Sequence, residues 1–346
     1  MIKFIKKNPA IPQRWIVLTA LAYSLTAAQA QTPQAEKAFI KENMEFATKQ
    51  YSLMMQTPAQ GKNGKAIMPH SIRKDGTPSK GSIYLWTAGF FPGTLWYLSN
   101  YTGDKALQDS ALVYTHQMEP AKTFTDNHDI GFMMYCSYGN ANRFAPKDEY
   151  EDILVESARS LCTRFRPQAK VIQSWNGFRS WHGDKVYDFP VIIDNMMNLE
   201  LLFHASKVTG DESFRKVAIS HAEQVMHHQV RKDYSCFHII YYDKKTGKPI
   251  KGETSQGYSD NSAWSRGQAW GIYGFTMCYR ETKDKRFLKT AEKMADFYLD
   301  HPNLPSDKVA WWDFNAFQEG YTPGIRSNAC KMVNNYRDAS AAACVA

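Results

Sequence analysis

Two aspartates in this 346-residue sequence stand where acid–base chemistry can happen. Asp194 follows the apolar run Phe189-Pro190-Val191-Ile192-Ile193, and Asp129 closes the polar run Asp126-Asn127-His128-Asp129. A carboxyl group buried among aliphatic side chains holds its proton to higher pH than one in water, which suits a proton donor near neutrality. Two such groups facing one cavity are what sugar hydrolysis by paired carboxylates uses. Each also stands at an expected helix start, where capping is ordinary work for Asp. At Asp129 the cap is contested by Asp126 and Asn127.

A second stretch, Gln256 to Gly271, reads QGYSDNSAWSRGQAWG. Flat apolar rings beside rigid polar forks make a wall for a sugar. Trp264, Trp270, Gln256, Gln268 and Arg266 are its notable members. Arg266 can pair with an acid of an outer helix or serve as a fork for a ligand carboxylate. Trp86, Trp175, Trp181, Trp264 and Trp270 are mostly core by composition alone, with a minority left to stack on a sugar. His128 and His238 sit near apolar or aromatic runs, where a lone histidine is more often structural than catalytic. The chain carries no phosphate loop, no dinucleotide fingerprint, no nucleophile elbow and no cysteine–histidine spacing that suggests a metal.

Helices must position these groups. The pattern T-x-D-[KE]-x-[LF]-x-x-x-A recurs at Thr102, Thr209 and Thr282, with a degenerate copy expected from Lys147 to Phe165. Asp104, Asp211 and Asp284 are natural N-caps, and the following Leu or Phe and Ala share one helical face. Each copy follows a segment apolar nearly all round and opens an amphipathic one, a repeat of helical hairpins. Buried inner helices inside a half-exposed outer ring make an all-α toroid of six hairpins, an (α/α)6 barrel. Inner helices are expected to start near Ala88, Asp129, Asp194, Ser265 and Asp338. The last start has about two turns behind it, so the chain reads as shortened at its C-terminus. Ahead of the repeats, 34–56 is expected to be a helix and 57–81 a long loop or lid.

Residues 1–30 read as a secretory leader: Lys3, Lys6, Lys7 and Arg14, then the apolar Trp15 to Thr26, then Ala28-Gln29-Ala30 before Gln31. Residues 31–346 are then one catalytic domain. The apolar run is too short to span a bilayer. The expectation is an exported, periplasmic protein with no stable membrane insertion once the leader is cleaved. Losing the leader's four positive charges takes the formal charge from +8 to +4, mild enough to suit an anionic substrate and not to suggest nucleic acid. Six cysteines lack CxxC spacing and read as buried thiols, with one or two disulfides left open in an oxidising compartment.

The string S-x-W-x-R-G-Q-A-W at Ser262 to Trp270 resembles the unsaturated glucuronyl hydrolases, glycoside hydrolase family 88. HDIGF at His128 to Phe132 and IDNMMNLELL at Ile193 to Leu202 extend the likeness, with the T-G-D hairpins between. The sister unsaturated rhamnogalacturonyl hydrolases, acting on pectin fragments, read closer to W-x-R-G-N-G-W. A silent sugar-binding protein on the same scaffold would keep the wall without needing both aspartates. The resemblance implies an α/α barrel acting on an oligosaccharide with a 4,5-unsaturated uronic acid at its non-reducing end. An acid protonates C4 of the vinyl ether, water adds at C5, and the resulting hemiketal falls apart. By motif position Asp194 is the general acid and base and Asp129 its partner. His128, His238, Gln256, Trp264, Arg266 and Trp270 would line the uronate subsite with Trp86 across from them. No metal or organic cofactor is implied.

Overall fold

Thr102, Thr209 and Thr282 show how the repeat works. Each hydroxyl donates to the carbonyl four residues back, of Leu98, Ala205 and Cys278, at 2.8, 2.7 and 2.6 Å. Each also accepts the backbone N–H of the Asp two residues on, at 3.2, 3.1 and 3.1 Å. The residue between is left-handed: Gly103 (φ 70°), Gly210 (φ 73°) and Lys283 (φ 60°). Asp104, Asp211 and Asp284 then accept from the N–H groups of Ala106, Ser213 and Arg286. A helix stop and a helix start are thus folded into three positions.

The structure, a computed structural model, describes residues 33–56, 67–183, 185–327, 332 and 334–346. The expected leader at 1–30, the 57–66 part of the expected loop and Cys330 lie outside these. Residues up to Ser52 form one unit and those from Leu53 on a second. The expected N-terminal helix is α1 (Pro33–Met55). The second unit opens with β1 (Ile67–Ile72) and β2 (Pro78–Ser82), then α2 (Phe90–Thr102) and α3 (Lys105–Gln117). α4 (130–144) comprises Ile130–Met134, a π-helical turn Tyr135–Gly139 and Asn140–Phe144, and α5 is Asp148–Cys162. The strands β3 (Phe165–Arg166), β4 (Val171–Ile172), β5 (Phe178–Arg179), β6 (Val186–Tyr187) and β7 (Pro190–Ile192) follow. A 3-10 turn, Ile193–Asn198, runs into α6 (Leu199–Thr209), and α7 is Glu212–His228. After β8 (Ile239–Tyr242) and β9 (Pro249–Glu253) come α8 (Ser265–Thr282), α9 (Lys285–Asp300) and α10 (Ala339–Val345).

The helices pair as α2–α3, α4–α5, α6–α7 and α8–α9, and α10 packs on α8. The five expected inner starts therefore fall within two residues of α2, α4, the 3-10 turn, α8 and α10. Outer helices bury one stripe: Leu107, Ala111 and Tyr114 on α3, Phe214, Ala218 and Val225 on α7, Phe287, Ala291, Met294 and Tyr298 on α9. Inner helices are buried on more sides, as α8 is from Gly267 through Ile272. This is an α/α-barrel architecture, as the sequence predicts.

Two segments differ from the sequence reading. Part of the expected loop at 57–81 is the antiparallel hairpin β1–β2, turned at Arg73 to Thr77 through Gly76 (φ 80°). Between hairpins, β7, β8 and β9 form a three-stranded antiparallel sheet, with Ile192 opposite Ile239 and Ile239 opposite Glu253. β7 is only three residues long and lies in a fully buried apolar run, so its strand character has no alternation to betray it. Among the described residues Cys136, Cys162, Cys236, Cys278 and Cys344 are free thiols.

The two inner helices that carry the aspartates meet at Gly131. A Cβ there would lie 2.6 Å from the Asn198 Cα, and the Asn198 amide oxygen accepts the Phe132 N–H at 2.8 Å. The glycine of one motif is therefore shaped by the asparagine of the other. Gly131→Ala should destabilise the fold by about 1–3 kcal/mol through overpacking, read as a lower denaturation midpoint in urea; an unchanged midpoint would show that this contact is slack.

Candidate active site

The sheet brings the first pair of polar groups together. Asp194 follows β7 and His238 precedes β8, and the Ile193 N–H donates to the His238 carbonyl at 3.0 Å. His238 Nε2 then stands 3.6 Å from Asp194 Oδ2. The Ser255 N–H donates to His238 Nδ1 at 2.9 Å. That nitrogen is therefore an acceptor, and in the neutral ring the hydrogen sits on Nε2, the atom facing Asp194.

Ser174 attaches the second pair. Its N–H donates to the Pro190 carbonyl at 3.0 Å and its hydroxyl accepts the Ile192 N–H at 2.9 Å. Its carbonyl accepts the His128 N–H at 3.1 Å, and its hydroxyl lies 3.5 Å from His128 Nδ1. His128 Nε2 is 3.3 Å from Asp129 Oδ1. Neither aspartate is a side-chain cap: Asp129 makes no cap bond, and Asp194 lies within its 3-10 turn. The Asn127 side chain accepts the Asp129 N–H instead, at 2.8 Å.

Both carboxylates are about 14% exposed. Burial pushes the Asp129 carboxyl up; His128 and Arg164 pull it back, and the charge of Asp194 adds to the rise. Asp194 Oδ2, His128 Nε2, His238 Nε2 and Trp270 Nε1 are buried without a hydrogen-bond partner in the protein. Buried polar atoms are ordinarily satisfied, so Asp194 Oδ2 and the two histidine nitrogens that face the acids are free to meet a ligand.

Aromatic walls flank the acids. The Trp264 ring meets His238 edge-on at 4.7 Å, and the Arg266 guanidinium lies over Trp264 at 4.9 Å. Arg266 donates to Asp338 at 2.8 Å and to the exposed Gln256 amide oxygen at 3.3 Å. Its acid is therefore the cap of inner helix α10, not a residue of an outer helix. Trp86 packs on Phe132, three residues past Asp129, at 5.4 Å, and Phe132 on Trp270 at 5.5 Å. Contacts thus join His128 to Asp129, and Asp194 to His238, Trp264, Arg266 and Gln256, while Trp86 and Trp270 meet through Phe132. Gln268 is fully buried and donates to the Tyr234 and Met294 carbonyls, at 2.8 and 3.1 Å. These bonds hold α8 to its surroundings.

Two positions escaped the sequence reading. Ser174 has no motif around it. Asp313 is fully buried and accepts from the Tyr258 N–H and the Ser262 hydroxyl, at 2.8 and 2.6 Å, pinning the loop that carries Gln256. Its signal was there, an acid inside Trp311-Trp312-Asp313-Phe314. A cavity of about 660 Å³ lies elsewhere, lined in part by Tyr97, Tyr135, Glu200, His204 and Tyr273, and contains none of the nine site candidates. There Glu200 is already engaged by Tyr273 and Arg280. Among the described residues no group of three or more His, Cys, Asp or Glu is placed to hold a metal ion.

The burial of Asp129 has a cost in stability. In the unfolded chain it titrates near about 4, and in the fold its pKa is higher. The folded state thus binds this proton more tightly, and the stability it contributes is present at low pH and lost as pH rises through the folded value. Asp129→Asn should therefore raise the melting temperature at neutral pH and leave it little changed at acid pH, by calorimetry; equal effects at both would contradict the burial argument.

The profile of Glycosyl Hydrolase Family 88 matches residues 63–281. An unsaturated glucuronyl hydrolase of Formosa agariphila is 43% identical over 281 residues, covering 81% of this chain and 64% of the relative. An unsaturated chondroitin disaccharide hydrolase of Streptococcus pyogenes serotype M1 is 35% identical over 286 residues, covering 79% of this chain and 66% of the relative. The chain thus spans just under two thirds of the length of each. Among solved structures, an unsaturated glucuronyl hydrolase specific for heparin superposes with a TM-score of 0.78 at 40% identity, covering 89% of this chain and 76% of the other. That of Streptococcus agalactiae does so with a TM-score of 0.72 at 29% identity, covering 100% and 78%.

Proposed function

Since the chain belongs to glycosyl hydrolase family 88, we propose that it releases the 4,5-unsaturated uronic acid from the non-reducing end of oligosaccharides that lyases cut from glycosaminoglycans. The observation that carries this reading is Asp194 Oδ2, buried, unpartnered and 3.6 Å from a histidine whose hydrogen faces it. Relatives named for glucuronyl and chondroitin disaccharide hydrolysis, and a neighbour named as specific for heparin, support the substrate class.

The chemistry fits a carboxyl group with a neighbour of its own kind. Asp194 gives its proton to C4, and the C4=C5 electron pair forms the new C–H bond. Positive charge develops at C5 and the ring oxygen. Water adds at C5, and its proton returns to the Asp194 carboxylate. The C5 hemiketal opens to a ketone, exposing a C1 hemiacetal that expels the remaining sugar. Asp129, as carboxylate, stabilises the developing positive charge and orients the water. His238 Nε2–H faces Asp194 at 3.6 Å, Trp264 and Trp270 flank the flattened ring, and Arg266 with Gln256 reads the uronate carboxylate. The leader-like residues 1–30 support export to the periplasm, where lyase products of external polysaccharides would be met.

The unsaturated uronate absorbs in the ultraviolet, and the reaction removes the conjugation. The chain should bleach disaccharides prepared with chondroitin, hyaluronan or heparin lyases. Asp194→Asn should lower kcat by on the order of 10³-fold while disaccharide binding persists. Failure of the wild-type chain to bleach any of the three sets would overturn the proposal.

A further inference from the structure

Arg164 is the other buried ion of this region. It follows α5, is 3% exposed, and is absent from the chemistry above. Its bonds all end on neutral oxygens. Nε donates to the Gln173 carbonyl at 2.8 Å, Nη1 to the Thr125 carbonyl, and Nη2 to the Ser174 carbonyl at 3.3 Å and the Asn176 side chain at 3.1 Å. A buried guanidinium is costly unless its charge is answered. The carboxylates whose charge bears on it are Asp126 and Asp129.

Its carbonyl partners stand in two segments that matter. Thr125 opens the approach to His128 and Asp129. Ser174 is the residue bonded at once to His128 and to β7, which leads into Asp194. The Ser174 carbonyl takes both the His128 N–H and an Arg164 N–H. One guanidinium therefore sets both aspartate-bearing segments through a single intermediary.

We propose that Arg164 is a positioning residue for the reaction proposed above: its fork registers the Asp129 segment against the Asp194 segment, and its positive charge, which among the described residues meets no carboxylate directly, favours the charged form of Asp129. The groups bearing on Asp129 are His128 from its own segment, Asp194 from the 3-10 turn and Arg164 from the end of α5. Burial, with Arg166 beside it, lowers the Arg164 pKa to about 10, so the guanidinium stays charged at neutral pH. Without it, Asp129 would lose a positive neighbour and meet only the negative charge of Asp194 and the partial help of His128. Its pKa would rise, and the acid limb of the pH–rate profile would move to higher pH.

Two variants separate charge from fork. Arg164→Gln should move the acid limb of kcat upward by about one pH unit. Arg164→Lys keeps the charge without the fork, so the limb should stay while plateau kcat falls on the order of 10-fold from lost registration. A limb unmoved in Arg164→Gln, or moved in Arg164→Lys, overturns the charge role; an unchanged plateau in Arg164→Lys overturns the positioning role. If Arg164→Gln does not fold, Arg164→Met takes its place in the charge test, and Arg164→Lys still decides the positioning role. If no substrate is consumed, the reading of the reaction fails separately. The Asp129 carboxyl can then be titrated by carbon NMR in labelled protein, assigned with Asp129→Asn. A rise in Arg164→Gln and none in Arg164→Lys supports the charge role, and any other pattern refutes it.

Discussion

Two like charges in a poorly hydrated place repel each other and resent their burial, and the architecture around Asp129 and Asp194 answers that constraint. The segments bearing them belong to different hairpins. They are brought together by packing of the most exacting kind, a glycine with no room for a methyl group against an asparagine, and by a serine whose N–H, hydroxyl and carbonyl are all in use. Two histidines then stand one against each acid. The balance leaves polar atoms unsatisfied, which is the usual price of a site that must bind something else.

The hairpins were legible because their signal is local. A threonine, a left-handed residue and an aspartate specify an ended helix and a begun one within three positions, and the Leu or Phe and Ala that follow fall on the buried stripe. The inner-helix starts were legible for the same reason. Asp129 and Asp194 could be singled out as chemistry, but not cleared of capping, since that depends on where each carboxylate points. The sheet was not legible, because β7 lies in a short run buried on every side, and such runs have no period. Gln268 misled because Arg266 and Trp270 stand two positions away on either side; two positions along a helix turn a side chain by about 200°. Ser174 and Arg164 act through backbone carbonyls distant in sequence, and nothing in a linear pattern reports that.

The two walls are built differently. Trp86, Phe132 and Trp270 form a run of rings from three inner segments, held by contact alone. The segment around Trp264 is polar beneath its rings. Asp313, fully buried, fastens the loop from Gln256 to Trp264, and its hydrogen bonds answer part of the cost of burying an acid there. The loop can therefore present exposed Gln256 from a rigid base.

Arg266 illustrates a wider consequence. One of its nitrogens is tied to Asp338, whose other oxygen caps α10, and its plane rests on the Trp264 ring. A free arginine surrenders much rotational freedom when it grips a ligand. This one has surrendered it on folding, so in the proposed reaction a uronate carboxylate would meet a guanidinium already held in place and forfeit little entropy in the meeting. In the proposed reaction, discrimination between an unsaturated uronate and a neutral sugar would then depend less on how strongly the guanidinium attracts than on how little it can turn toward anything else.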